Sequence, residues 1–571
     1  MKNRLILCLI ASILLVSATA QSIPHWQQQG SAQQLIIDER PYLILGGELG
    51  NSSASSPQDI DRIFPKLKRI GLNTVLVPAY WDLIEAKEGN YDFTLIDHAI
   101  RQARANDLRL VFLWFGAWKN SMSCYAPLWF KQDYKKYPRV RTRSGKPLEI
   151  ASPFSENVFQ ADSKAFTAFM GHLADTDGDQ HTVIMVQVEN EIGMLEDARD
   201  YSKEANRLFE ASVPTQLLEY LKDNKKALHP WLKEKWEKAG SKTEGNWQEV
   251  FGSDLYTDEV FMAWHYASYV ERMIQCGRSA YNLPMYVNAA MNSRGRKPGE
   301  YPSAGPLAHL IDIWHCAAPG IDLLAPDLYD KGFTDWTQQY KLHNNPLFIP
   351  EIRLEPNDGV RAFYVFGEHD GIGFSPFSIE DAPDTSAYPL AQSYRTLRKL
   401  MPVIARYQGK GQMKGLLFDQ TQVERTLTWD NTLLICRHFF TLPWDARATD
   451  GSVWPEGGGL VIRLAKDEYL IAGSGIVVEF KSKDEVTTAS SPAKLGEDGF
   501  VLAGENKQPS GTSWSGGTRI GIGSVDQVDI APDGSLKYIR RLNGDQDHQG
   551  RHARIGVDDF QILHVKLYEY R

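Results

Sequence analysis

Two short stretches place carboxylates where apolar strands run out. Val183-Ile184-Met185-Val186-Gln187-Val188 leads straight into Glu189-Asn190-Glu191-Ile192-Gly193, and Pro346-Leu347-Phe348-Ile349-Pro350 leads into Glu351-Ile352-Arg353. A charged group closing an apolar run is costly unless it is hydrogen-bonded or used. Taken singly, each glutamate reads as a solvated strand end. Taken as a converging pair, they have a specific use. An acid/base and a nucleophile about 5–5.5 Å apart hydrolyse a glycosidic bond with retention of configuration. Other constellations carry less. His315-Cys316, Asp327 and His369-Asp370 match no zinc or iron spacing, so no metal and no cofactor is expected. Gly371-Ile372-Gly373 and Gly521-Ile522-Gly523 do not sit between a strand and a helix start, which argues against nucleotide binding.

The elements that must position these residues follow a β/α rhythm from about residue 42 to 407. Eight β-rich apolar runs occur, at Tyr42–Gly47, Thr74–Pro78, Leu108–Phe115, Thr182–Val188, Pro284–Val287, Ile321–Ala325, Pro346–Pro350 and Gly371–Phe377. Helical patterns such as Ile60–Ile70, Leu95–Ala105 and Lys164–Ala174 separate many of them. Near-continuous apolar strands alternating with helices predict a parallel sheet covered on both faces. Eight such strands predict an α/β fold of the (β/α)8 TIM barrel type, with its site at the C-terminal strand ends. Strands four and seven then face each other across the barrel. Long loops follow strand three (about 116–160) and strand four (about 194–262), the latter with helical patterns at Leu208–Asn224 and Trp231–Ala239. Beyond residue 410 short alternating runs and Gly-rich turns predict an all-β sandwich. The expected organisation is a signal peptide over 1–20, a barrel over 21–410 and a β-sandwich domain over 411–571.

Bulk properties narrow the class. The 571 residues are 43% hydrophobic and 23% charged, ample for a folded core, and the net charge of −9 argues against a nucleic-acid partner. The 15 Trp, 24 Tyr and 24 Phe suit sugar stacking and core packing equally. Lys2 and Arg4 precede the apolar run Leu5–Val16, and Ala18-Thr19-Ala20 offers a cleavage site before Gln21. That predicts secretion, with the periplasm favoured over the extracellular medium and no membrane insertion. Cys124, Cys276, Cys316 and Cys436 show no CxxC spacing and are expected as buried free thiols.

Residues 186–193, Val-Gln-Val-Glu-Asn-Glu-Ile-Gly, resemble the acid/base motif of glycoside hydrolase family 35, the β-galactosidases. Gly71-Leu72-Asn73-Thr74-Val75 with Trp81 and Glu85, the Leu323–Tyr329 block and the Glu351 strand are similar to other blocks of that family. The C-terminal part resembles the small β-domain of its bacterial branch. The resemblance implies Glu191 as general acid/base, Glu351 as nucleophile and Asn190 on the sugar 2-hydroxyl. It also implies Glu189 as a supporting or hydroxyl-binding residue, and Tyr329 as a hydrogen-bond partner of the nucleophile. The chain departs from the family with Phe115-Gly116-Ala117-Trp118-Lys119-Asn120 after the third strand, Pro78 and Tyr80 at the second, and Gly46-Gly47-Glu48 at the first. Those positions make Glu48, Tyr80, Trp118 and Asn120 the candidate sugar contacts. The implied activity is retaining exo-hydrolysis of terminal β-galactosyl residues from plant cell-wall oligosaccharides such as xyloglucan side chains. The alternatives are the same chemistry on an arabinopyranoside, glucoside or fucoside, or a non-catalytic carbohydrate-binding barrel. Oligomeric state is not legible.

Overall fold

Helix α1, Pro57–Ile70, shows how the sequence builds the first β/α unit. Ser56 caps it by accepting from the Asp59 amide, Pro57 supplies the preset φ of a first turn, and Gly71 ends it at φ 101°. Ile60, Ile63, Phe64, Leu67 and Ile70 form its buried stripe. The computed structural model describes residues 22–292, 295–488 and 517–571. The expected signal peptide and much of the Gly-rich stretch 500–525 lie outside the described residues.

Eight parallel strands form the barrel: β1 (Ile44–Leu45), β2 (Thr74–Tyr80), β3 (Arg109–Lys119), β4 (Val183–Asn190), β5 (Met285–Ala290), β6 (Leu323–Leu328), β7 (Phe348–Ile352) and β8 (Gly373–Pro376). They pair in sequence order, and β8 returns to β1. Closure comes from the short first strand. Leu76 N–H donates to Gly47 O (2.9 Å), Leu49 N–H donates to Leu76 O (3.1 Å), and Glu48 N–H donates to Pro376 O (2.9 Å). Gly46 and Gly47 allow this crowding, because a Cβ would stand 2.3 Å from Ser375 Oγ at Gly46 and 2.4 Å from Ile379 Cγ1 at Gly47. The barrel strands are almost wholly buried, as expected for a sheet covered on both faces.

A three-stranded antiparallel sheet, His25–Gln29, Ala32–Ile37 and Arg40–Tyr42, precedes the barrel and was not legible as such. It lies at the strand-start end, where Asp38 pairs with Arg109 at the beginning of β3 (2.5 Å). The loop after β3 holds a short helix, Leu128–Gln132, and a hairpin, Arg139–Arg141 with Pro147–Ala151. The helix expected over Leu208–Asn224 is two helices, Lys203–Glu210 and Thr215–Asp223. Pro214 divides them, since it lacks an N–H and disfavours helical φ/ψ at the residue before it. The freed Val213 N–H bonds Gly245 O (2.9 Å) instead.

After the helix Pro389–Tyr407 the chain becomes all-β. A six-stranded and a four-stranded antiparallel sheet pack face to face. Leu416, Val461, Ile471 and Val565 of the first meet Leu434, Cys436, Ile476 and Val478 of the second. The other face of the six-stranded sheet, including Leu460, Ile462, Leu470 and Ile562, joins the barrel core. Helix Asp358–His369 carries that contact. At Gly367 a Cβ would stand 2.7 Å from Leu460 Cβ, so helix and sheet touch closely.

Candidate active site

The strand ends converge on one cluster at the C-terminal face of the barrel. Glu48 follows β1, Lys119 ends β3 and Asn120 follows it, and Asn190 ends β4 with Glu191 next. Asn288 lies on β5, Asp327 on β6 with Tyr329 just beyond, and Glu351 on β7. All but Asn120 and Tyr329 are buried. In a regular strand Glu189 and Glu191 would share a face. Here both take positive φ (60° and 46°), and so do Asn120 and Ser121 (49° and 66°). Such backbone is strained for side chains of these types, and it sends the two glutamates to opposite sides of the wall.

Glu191 points inward. Asn120 Nδ2 donates to Glu191 Oε2, while Lys119 Nζ donates to Asn120 Oδ1 (2.6 Å) and fixes which way that amide faces. The Glu191 N–H donates to Asn288 Oδ1 (2.9 Å), and Asn288 Nδ2 donates to Asp327 Oδ2 (2.7 Å). Glu351 accepts from the Tyr329 hydroxyl. Asn190 Nδ2 and Oδ1 are buried without a hydrogen-bond partner among the described residues. Buried polar atoms normally find partners, so orphans gathered at one strand end mark a place built for an outside molecule.

Four carboxyl groups and one ammonium cannot all be charged in so small a space. Burial, then the negative charges of Glu351 and Glu191, push Glu48 well above the ordinary carboxylate range. Burial, then the charges of Glu351, Glu191 and Glu48, do the same to Asp327. Both are thereby biased toward the neutral acid, Glu48 bonded to Glu351 and Asp327 to Glu191. Burial and the Glu191 charge raise Glu351 to about 7, against the pull of Lys119, the Tyr329 hydroxyl and the Glu48 carboxyl. Those three neighbours offset only part of what burial and the Glu191 charge do to disfavour the Glu351 anion.

The structure brings together Glu191, Glu351, Asn190, Tyr329, Glu48 and Asn120 of the expected residues. It removes three. Glu189 turns to the helix layer, where its Oε2 accepts from the Trp118 N–H (2.8 Å) and its carboxyl bonds Asp162. Trp118 is fully buried between Tyr266 and Tyr269, with ring centroids 5.8 and 4.8 Å away, so it is a core residue and no wall of the site. Tyr80 is buried against Phe115 and Tyr125, its hydroxyl accepting from the Ala54 N–H (3.3 Å). Lys119 and Asn288 were missed, and Asp327 was weighed only as a metal ligand. Their signal was present: each is a polar residue at the end of an apolar strand. The cysteine expectation also needs correction. Cys316 and Cys436 are buried free thiols, but Cys276 is only partly buried and Cys124 is exposed.

Part of the chain is similar to known β-galactosidases. Residues 52–260 match the model of glycoside hydrolase family 42, described as β-galactosidase. Residues 390–554 match a domain of unknown function. A β-galactosidase of Xanthomonas manihotis is 26% identical over 212 residues, which are 36% of this chain and 32% of that protein. Among solved structures, a family 42 β-galactosidase from G. stearothermophilus aligns with a TM-score of 0.44 at 15% identity, covering 67% of this chain and 59% of the other. The β-galactosidase of the psychrophilic Marinomonas ef1 gives a TM-score of 0.43 at 12% identity, covering 64% and 61%. The chain thus spans about a third of the curated relative and about three-fifths of these structures. The family model matched over residues 52–260 is that of family 42, whereas the motifs resemble family 35.

Proposed function

We propose that the protein is a secreted, retaining exo-β-galactosidase. The observation that carries this reading is the pair Glu191 and Glu351 at the ends of β4 and β7 of one barrel, Glu191 held by the Asn120 amide and Glu351 by the Tyr329 hydroxyl. Glu191 gives its proton to the glycosidic oxygen as a Glu351 oxygen bonds the anomeric carbon and the bond to the leaving group breaks. Water then enters. Glu191 takes its proton, the hydroxide oxygen bonds the anomeric carbon, and Glu351 departs as a carboxylate. Asn190, which the resemblance assigns to the sugar 2-hydroxyl, has both side-chain polar atoms without a partner among the described residues, which supports that role. Lys119 and the Glu48 carboxyl stabilise the charge that returns to Glu351.

Galactose is supported by the β-galactosidase activity for which the matched family and relative are named. Plant cell-wall oligosaccharides such as xyloglucan side chains are supported by the resemblance to the bacterial branch, and export to the periplasm by the N-terminal leader pattern. A 2-deoxy-2-fluoro β-galactoside with a good leaving group tests the mechanism. Peptide mapping is expected to find the trapped sugar on Glu351, and the first-formed product of an ordinary substrate keeps its configuration. A label on Glu48, or an inverted product, overturns the assignment. A panel of nitrophenyl galactoside, arabinopyranoside, glucoside and fucoside ranks the sugars, and binding without any turnover would make the barrel a non-catalytic one.

A further inference from the structure

A cleft of about 470 Å³ opens where the loops after β6 and β7 meet the β-domain. Its barrel side includes Tyr329, Phe333 and Arg353, and its β-domain side includes Asp419, Thr421 and Gln422. The volume falls within the roughly 300–1,000 Å³ typical of small-molecule sites. Tyr329 belongs to two places at once. Its hydroxyl bonds Glu351, while its ring, 39% exposed, forms part of the cleft wall with the Arg353 guanidinium 5.7 Å from its centroid. The cleft therefore starts where the carboxylate cluster ends.

Its chemistry suits a hydroxyl-rich molecule. Half-exposed Tyr329 and Phe333 rings offer faces for C–H groups, and Arg353, Thr421 and Gln422 offer donors and acceptors. The β-domain side is also held still. Asp419 Oδ1 accepts from the Thr421 N–H and hydroxyl (both 2.6 Å) and from the Gln422 N–H (2.9 Å), closing a tight turn. Gln422 is exposed, and its side-chain amide has no hydrogen bond among the described residues. Beneath the cleft, Arg361 of the barrel donates twice to Glu456 of the β-domain (2.8 Å each) and once to Glu355 (3.1 Å). Covering the barrel's helices requires only the apolar face of the six-stranded sheet. The Arg361–Glu456 pair fixes the two sides of the cleft relative to each other, but the exposed Thr421 and Gln422 at its rim contribute nothing to that apolar packing.

We infer that the β-domain, whose matched model has no function attached, completes a leaving-group site. The cleft takes the sugar to which the terminal galactosyl residue is joined, and Thr421 and Gln422 contact it. This rests on the hydrolase reading, because a terminal sugar over Glu351 leaves the rest of the substrate to continue past Tyr329.

The test compares two substrates with alkyl leaving groups on the whole protein. Methyl β-galactoside has a leaving group too small to reach the cleft, whereas β-galactosyl disaccharides with glucose or xylose as the second sugar extend into it. Gln422→Ala is expected to lower kcat/KM on at least one disaccharide about fivefold, the scale of one neutral hydrogen bond. Thr421→Trp, which fills the cleft, is expected to lower it by more than about tenfold, since an obstructed contact is lost in both ground and transition states. Turnover of methyl β-galactoside stays within about twofold in both variants and serves as their folding control. Equal losses on both kinds of substrate, or no loss on either disaccharide, overturn the leaving-group site while leaving the hydrolase reading intact. Failure of the wild-type protein to turn over any of the galactosides overturns the hydrolase reading, and the leaving-group site with it.

Discussion

The wall at the ends of β3 and β4 has two sides, and each holds buried carboxyl groups. On the outer side Glu189 bonds Asp162 and the Trp118 N–H, and Asp162 accepts from Trp114 Nε1 (3.0 Å) and the Tyr269 hydroxyl (2.8 Å). On the inner side Glu191, Glu351, Glu48 and Asp327 crowd together, beside an asparagine with both side-chain polar atoms unpartnered. Burial raises Glu189 and Asp162 just as it raises Glu48 and Glu351. A displaced pKa is therefore no signature of catalysis by itself. The outer pair is bonded to the Trp118 N–H, Trp114 and Tyr269 and packed among aromatic rings. The inner group is incomplete, and its incompleteness is what an incoming sugar would satisfy.

The sharpest break between the two sides is Glu191→Ala. It is expected to cost about 10²–10⁴-fold in kcat on substrates that need protonation, and far less on nitrophenyl ones, with added azide restoring turnover as a β-glycosyl azide. Equal loss on both substrate types without rescue would move the acid/base role elsewhere.

Next comes Trp118→Ala on the outer side. Removing a fully buried indole is expected to cost about 3–5 kcal/mol of stability, read by denaturant unfolding, while inhibition by the product sugar stays unchanged. A weakened inhibition in a variant of wild-type stability would put the indole back in the site.

Glu351→Gln separates stability from activity. Because the folded-state pKa of about 7 exceeds the ordinary 4.5, the unfolded chain ionises first, and Glu351 destabilises the fold increasingly as pH rises from 4.5 to 7. The amide carries no such penalty. The variant is expected to match the wild type near pH 4 and exceed it by roughly 3 kcal/mol above pH 8, while losing nearly all turnover. In the wild type the same ionisation gives kcat/KM an acid limb near pH 7. A stability difference that does not change with pH would show that Glu351 is not destabilised by its neighbours.

The smallest effect is expected from Glu189→Gln. A neutral acid and an amide can both donate to Asp162 and accept from the Trp118 N–H, so kcat/KM should stay within about twofold and the melting temperature nearly constant. A large loss of activity would return Glu189 to the list of residues that touch substrate.

What the sequence determined is the scaffold and the two principal carboxylates. Eight apolar runs alternating with helices are buried as a covered parallel sheet, strand-end position then points to Glu189, Glu191 and Glu351, and the family resemblance chooses Glu191 over Glu189. The alternating strands after residue 410 likewise announce a sandwich, because a period of two exposes one face and buries the other. Three things lay beyond the sequence. The first is the fate of Glu189 and Trp118. Strand alternation is a local rule, and positive φ at Glu189 and Glu191, held by contacts between the ends of β3 and β4, cancels it. The second is the membership of the cluster. Lys119, Asn288 and Asp327 come from three strands, and only closure of the barrel makes them neighbours of Glu191. The third is the cleft beneath Tyr329, whose two sides are about ninety residues apart in the chain. It exists because Arg361 meets Glu456 and because Gly367 lets a barrel helix lie against the six-stranded sheet. Local pattern fixes what each segment becomes. Which segments meet is settled by packing and charge pairing between elements far apart in sequence.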